Sequence, residues 1–307
     1  MKTLAVLIAG LIAGVAVAQV SNPSASSSPA PAAASASASA SASAPAAGTG
    51  TIVHPISKNI TDRLTKSTRH VDVVKIKQGD RVIETMVYYP TNKNKAMAVV
   101  LIHEIFGLSD WMQAAGDQLA EAGYIVLVPD LLSGLGPNKG GTTDLPASEV
   151  RTAIGKLPPE QVLTDLTAVT DYAKKLDACN GNVAVGGFCW GGGKAFAFAT
   201  VNKDIKAAFV FYGAPMLPTA DMPKVNCPVY GFYGETDRNL AAAVPAETTA
   251  MKAAGKTYDA VVYAGAQHGY MRTGQMDNTN AADKKAAEDS WKRWLDILKK
   301  IDVPAAK

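Results

Sequence analysis

Cysteine is scarce. The 307 residues hold three, Cys179, Cys189 and Cys227, too few and too late in the chain for a disulfide-stapled mini-domain or a cysteine-based zinc module. No C-x-x-C occurs, which argues against a redox role. Aromatic residues make up only 7% and charged residues 19%, while 48% apolar content is enough for a globular core. Neither sign of charge dominates: 30 Lys and Arg against 27 Asp and Glu leave +3, no balance for a nucleic-acid partner. Only four histidines are present, and His54, His70 and His103 show no metal-ligand spacing. His103-Glu104 is not a zincin motif either, because the second histidine would fall at Gly107.

Long apolar runs are missing as well. The one near the start, Leu4 to Val17, falls short of the ~20 residues needed to span hydrocarbon. With Lys2 before it and Ala16-Val17-Ala18 after it, residues 1–18 read as a secretory signal peptide, and the mature chain is expected to begin at Gln19. No twin arginine precedes the run and no cysteine follows it, so the expectation is Sec-type export to the periplasm or medium, without membrane insertion of the mature chain. Residues 19–50 are dominated by Ser, Ala, Pro and Gly, with strict Ser/Ala alternation from Ala34 to Ala44 and no charge. They offer no apolar face to offset ordering entropy and read as a flexible linker. Every acid, histidine and cysteine lies in the remaining segment, residues 51–307, which fits one domain.

Within that segment, His70 to Ile76 and Arg81 to Tyr89 read as a hairpin across Gly79-Asp80. Strand patterns then alternate with helical ones. Strands are expected at Met97 to Ile102, Tyr124 to Val128, Val183 to Phe188, Ala207 to Tyr212, Pro228 to Tyr233 and Tyr258 to Tyr263. Helices are expected at Trp111 to Ala122, Pro159 to Leu176, Gly192 to Val201, Pro245 to Ala254 and Ala281 to Lys300. Near-continuous apolar strands between helices imply an α/β fold of three layers, a mostly parallel sheet covered on both faces. Leu131 to Leu157, rich in Gly and Pro, reads as a surface excursion, either a lid or a disordered insertion.

The densest chemical signal is Gly187-Phe188-Cys189-Trp190-Gly191, a G-x-C-x-G between an apolar strand and a helix. Small residues two before and two after Cys189 let the chain turn sharply and lift the thiol above the sheet, where it meets the positive end of the helix dipole. A Walker loop fails on spacing, because Phe188 and Ala195 stand where Gly and Ser or Thr are needed. A thiol nucleophile needs an acid and then a histidine after later strands, and Asp237 and His268 occupy those places. Glu235 and Asp259 are competing acids, though Asp259 opens a strand at the wrong edge. Glu104 ends the strand from Met97 and begins the loop that in such folds supplies part of an oxyanion hole.

Together these residues resemble the dienelactone hydrolase (carboxymethylenebutenolidase) family of the α/β-hydrolases. The resemblance runs from about Arg81 to Leu298 through His103-Glu104-Ile105-Phe106-Gly107-Leu108, Pro129-Asp130-Leu131, Gly187-Phe188-Cys189-Trp190-Gly191-Gly192, Tyr233-Gly234 with Asp237, and His268-Gly269-Tyr270. It implies Cys189 as nucleophile, His268 as base, Asp237 as its orienter, and the backbone N–H groups of Ile105 and Trp190 as the oxyanion hole. It also implies that Glu104 contacts the resting thiol until an anionic substrate moves it. Arg272 would hold the substrate carboxylate, with Arg151 as a second arginine and Phe106 beside the substrate. The expected protein is a cofactor-free monomer that hydrolyses a small lactone or ester through a thioester. The alternatives are a general carboxylesterase with no demand for an anionic substrate, and a non-catalytic exported binding protein. Cys179 and Cys227 either pair in an oxidising compartment or stay separate core residues, since a strand is expected between theirs.

Overall fold

The computed structural model describes residues 57–92, 94–214 and 216–303; the segments expected to be a signal peptide and a linker, and residues 51–56, lie outside them. Eight strands form one sheet: β1 (Val71–Gln78), β2 (Arg81–Tyr88), β3 (Ala96–Ile102), β4 (Ile125–Pro129), β5 (Cys179–Phe188), β6 (Ala208–Phe211), β7 (Val229–Gly234) and β8 (Tyr258–Tyr263). Their spatial order is β1-β2-β4-β3-β5-β6-β7-β8. β1 and β2 form the expected hairpin, and β2 also pairs antiparallel with β4; every other pairing is parallel.

Period-two alternation divides the apolar residues of β3 between two cores. Ala98, Val100 and Ile102 pack on one face with α4 (Pro159–Lys175) and α5 (Trp190–Val201). Met97, Val99 and Leu101 pack on the other with α2 (Asp110–Glu121) and α8 (Ala281–Ile301). All seven β3 residues are buried, as expected of a central strand covered on both faces. Under α8 the second core is aromatic: the Phe211 ring lies 4.3 Å from that of Phe232 and 4.8 Å from that of Trp294. Among the described residues no helix is long and apolar enough to cross a membrane.

Three local features depart from the sequence reading. α1 (Lys58–Lys66) was not visible because it buries only Ile60; it is held by polar contacts, Ser57 capping the Ile60 N–H at 3.2 Å and Arg63 reaching the buried Asp117 of α2 at 2.9 Å. The stretch from Leu131 to Leu157 is neither an exposed lid nor an unstructured insertion. Leu131, Leu132, Val150, Ile154 and Leu157 are buried, and α3 (Ala147–Gly155) lies within it. Finally, α6 (Arg238–Ala253) begins seven residues before Pro245 and runs through it. Packing of Val244, Glu247 and Met251 on the sheet outweighs the hydrogen bond the proline cannot donate.

All three thiols are free. β6 stands between β5, which opens at Cys179, and β7, which Cys227 precedes, and burial pushes the Cys227 thiol up to about 12.

Glu247 carries a consequence for stability. Its carboxyl is buried and accepts from the Tyr258 hydroxyl at 2.9 Å, and burial pushes it up to about 7. Below the unfolded value of ~4.3 both states are protonated and ionisation costs nothing; as pH rises through 7 the folded state loses up to roughly 3 kcal/mol relative to the unfolded chain. Glu247→Gln should therefore flatten part of the fall in Tm between pH 5 and 8. A variant whose Tm falls as steeply as the parent's would show that this carboxyl is not the group responsible.

Candidate active site

The carboxyl ends of the parallel strands bring together five loops. β3 leads to Glu104 and Ile105, β5 to Cys189, β6 to Tyr212, β7 to Asp237 and β8 to His268. Cys189 sits between β5 and α5 with φ 54° and ψ −118°, a conformation non-glycine residues rarely adopt. The turn is held from both sides: the Cys189 N–H donates to the Phe211 carbonyl at 3.0 Å, and the Cys189 carbonyl accepts from Gly192 at 3.0 Å and Gly193 at 3.2 Å. Two glycines are required by close approach. A Cβ on Gly187 would collide with the Gly191 carbonyl, and one on Gly191 would press 2.5 Å from the His103 carbonyl oxygen. The sulfur thereby stands at the N-terminus of a twelve-residue helix, partly exposed.

Asp237 occupies the N-cap position of α6, but its side chain makes no capping bond. Its Oδ2 instead lies 2.5 Å from His268 Nδ1, which fixes the imidazole tautomer and leaves Nε2 for the thiol. His268 is pushed up to about 9, first by its hydrogen bond with Cys189, then, against burial, by Asp237. The competing acids are engaged elsewhere. Glu235 is exposed and accepts from the Gly265 N–H at 2.8 Å, and Asp259 pairs with Arg293 at 3.1 Å.

Glu104 is 2% exposed, and burial raises its carboxyl above the usual range against the pull of Arg272. Its hydrogen-bond partners are Arg272, whose Nε donates to Oε2 at 2.9 Å, and Tyr212, whose hydroxyl reaches Oε1 at 3.5 Å. The carboxylate is thus turned toward a guanidinium that compensates a buried charge, rather than hydrogen-bonded to the Cys189 thiol. Arg272 also lies over the Phe106 ring, 5.1 Å from its centroid. Arg151 is an exposed residue of α3, and the described contacts do not link it to Glu104, Cys189 or Arg272. Among the described residues neither the Ile105 nor the Trp190 N–H donates to a protein acceptor, which leaves both for a ligand oxygen. No group of three or more His, Cys, Asp or Glu among them could hold a metal ion.

Two supports were not anticipated from the sequence. Asp283, wholly buried at the start of α8, accepts from the Gln267 N–H at 2.9 Å, the Gln267 amide at 2.6 Å and the Thr273 hydroxyl at 2.7 Å, clamping the segment that carries His268 and Arg272. The Asn280-x-x-Asp283 helix start was its only sequence signal; Asn280 caps the Asp283 N–H at 2.8 Å. Tyr212, at φ 38°, packs edge-on to the His268 ring at 5.1 Å, and only the fold brings it there.

Comparison with known proteins identifies the family. The family model described as the dienelactone hydrolase family matches residues 83–302. A protein of Methylorubrum extorquens named as a candidate carboxymethylenebutenolidase is 28% identical over 82% of this chain and 88% of its own length. One of the same name from Salmonella typhimurium is 30% identical over 71% of this chain and 83% of its own. The crystal structure of a candidate dienelactone hydrolase from Klebsiella pneumoniae superimposes with a TM-score of 0.66 at 25% identity, covering 76% of this chain and 99% of that one. The sheet is that of the α/β-hydrolase fold, and the chain belongs to the dienelactone hydrolase family of hydrolases acting on ester and lactone bonds.

Proposed function

We propose that this protein is an exported hydrolase of a small lactone or carboxylic ester that works through Cys189. The observation that carries the reading is the strained Cys189 turn beside His268, whose Nδ1 lies 2.5 Å from Asp237 Oδ2. In the reading, His268 holds the proton of the thiol while the sulfur attacks the substrate carbonyl. The C=O electron pair moves onto oxygen, which the Ile105 and Trp190 N–H groups and the α5 N-terminus stabilise. Collapse expels the alkoxide, which takes the proton from His268 and leaves a thioester. Water, activated by His268, then releases the acid and restores the thiol. Export rests on the pattern of residues 1–18.

A second reading, a carboxylesterase with no need for an anionic substrate, draws on the Glu104–Arg272 pair, in which the arginine charge is already compensated. Arg272→Ala separates the two. Removing the guanidinium leaves Glu104 buried without its counter-ion, a cost shared by every substrate, so the ratio of kcat/KM for an anionic lactone to that for a neutral ester is diagnostic. If Arg272 holds a substrate carboxylate, the ratio should fall by a factor of roughly 10 to 150, equivalent to about 1.5–3 kcal/mol. An unchanged ratio would favour the carboxylesterase reading. A parent protein inert toward charged and neutral lactones and esters alike would reject both.

A further inference from the structure

His103 is buried at the end of β3 and takes no part in the chemistry described so far. Its Nδ1 lies 2.8 Å from the Glu104 carbonyl oxygen. A carbonyl only accepts, so Nδ1 carries the proton. Burial holds the imidazole below its ordinary value, hence neutral, even though Asp130 lies near enough to oppose this. Nε2 is left as a buried acceptor with no hydrogen-bond partner among the described residues. One face of the ring stacks on the Trp190 indole, with centroids 5.5 Å apart and planes 12° from parallel.

The peptide unit that accepts this hydrogen bond at its oxygen is the one whose N–H belongs to Ile105. Trp190 carries the other free N–H. One buried ring therefore bonds the peptide that carries one N–H of the pair and stacks on the side chain of the residue that carries the other. A hydrogen bond to the carbonyl side of a peptide fixes the rotation of its plane and polarises its N–H into a better donor. An orphaned buried nitrogen destabilises the fold, a cost that a leucine of similar volume would avoid. That cost is explained if the Nδ1–H does something a hydrocarbon cannot.

We propose that His103 is a positioning residue of the oxyanion hole: it aims and polarises the Ile105 N–H through the Glu104 carbonyl while its face supports Trp190. The proposal rests on the reading in which those two N–H groups receive the oxyanion. His103 touches no reacting atom and gives up no proton. Its effect falls on the stage at which sulfur has bonded to the carbonyl carbon and the former π pair resides on oxygen.

The test compares the parent with His103→Leu, which removes the donor, and His103→Asn, whose amide nitrogen can take the place of Nδ1. Four quantities are measured: kcat and KM for a p-nitrophenyl ester, affinity for a trifluoromethyl ketone of matching shape, and the rate of iodoacetamide alkylation at the Cys189 peptide. Alkylation develops no oxyanion. His103→Leu should lower kcat by about ten- to a hundredfold with KM nearly unchanged, weaken the ketone by the same factor and leave alkylation within about twofold. His103→Asn should recover most of the loss. Unchanged kcat in the leucine variant, a loss that asparagine does not recover, or a loss matched by slower alkylation would overturn the proposal. Should the leucine variant not fold, 15N NMR of the parent decides: a proton on Nδ1 is required, and one on Nε2 alone would overturn it. A parent that binds the trifluoromethyl ketone no better than the methyl ketone would count against the oxyanion-hole reading itself, whatever His103 does.

Discussion

Cys189→Ala is expected to reduce ester and lactone hydrolysis to the solution background, a loss on the order of 10^4 or more in kcat/KM. The sulfur is the atom proposed to form the bond to substrate, and no other thiol is near: Cys179 and Cys227 are buried at the opposite ends of their strands. Cys189→Ser should do little better, because a hydroxyl is far harder to ionise than a thiol and His268 would have to remove its proton unaided. Neither change should disturb folding. Alanine and serine meet the same cost as cysteine at φ 54°, and the bonds that hold the turn come from the backbone. Steady-state kinetics alongside thermal melts give the comparison. Retention of more than a few per cent of parent activity by the alanine variant would remove Cys189 from the reaction.

Asp237→Asn should cost about a hundredfold or more in kcat and should also move a pH limb. With aspartate, His268 is held up to about 9, and activity should fall as pH rises through that value and the imidazole loses the proton the leaving group needs. With asparagine, an anion favouring the imidazolium is gone and the Nδ1–H tautomer is no longer enforced, so the basic limb should shift to lower pH. The limb belongs to the coupled thiol and imidazole rather than to either alone. The profile of kcat/KM against pH for parent and variant reads it. A basic limb that stays in place in the variant would mean that Asp237 does not govern the imidazole.

Much of the site was legible because it sits where chain direction changes. Glycines two before and two after Cys189 announce a turn that few other sequences make, and Asp237 and His268 follow strands whose apolar runs are unmistakable. Strand edge set Asp259 aside but left Glu235 open beside Asp237, and the hydrogen bonds decide between those two: Asp237 meets His268, whereas Glu235 accepts from the Gly265 N–H. What sequence could not reveal were contacts between residues distant in the chain. Glu104 and Arg272 are 168 positions apart, and nothing local states that the carboxylate faces the guanidinium rather than the thiol. α1 escaped because polar anchoring leaves no apolar stripe to read, and the start of α6 because Pro245 mimics a helix beginning. The stretch after Leu131 read as loose because its glycines and prolines were visible, whereas its anchor was not: Asp130 accepts from the Thr142 N–H at 2.6 Å and the Thr142 hydroxyl at 2.7 Å.

The central claim is a thioester on Cys189, and it can be observed directly. The protein is mixed with excess p-nitrophenyl acetate, quenched in acid within the first turnovers, and its intact mass and peptides are recorded. One added acetyl group, located on the peptide containing Cys189 and released by hydroxylamine at neutral pH, is the predicted result. Acetyl on a serine or lysine instead, or turnover with Cys189 never acylated, would contradict the account.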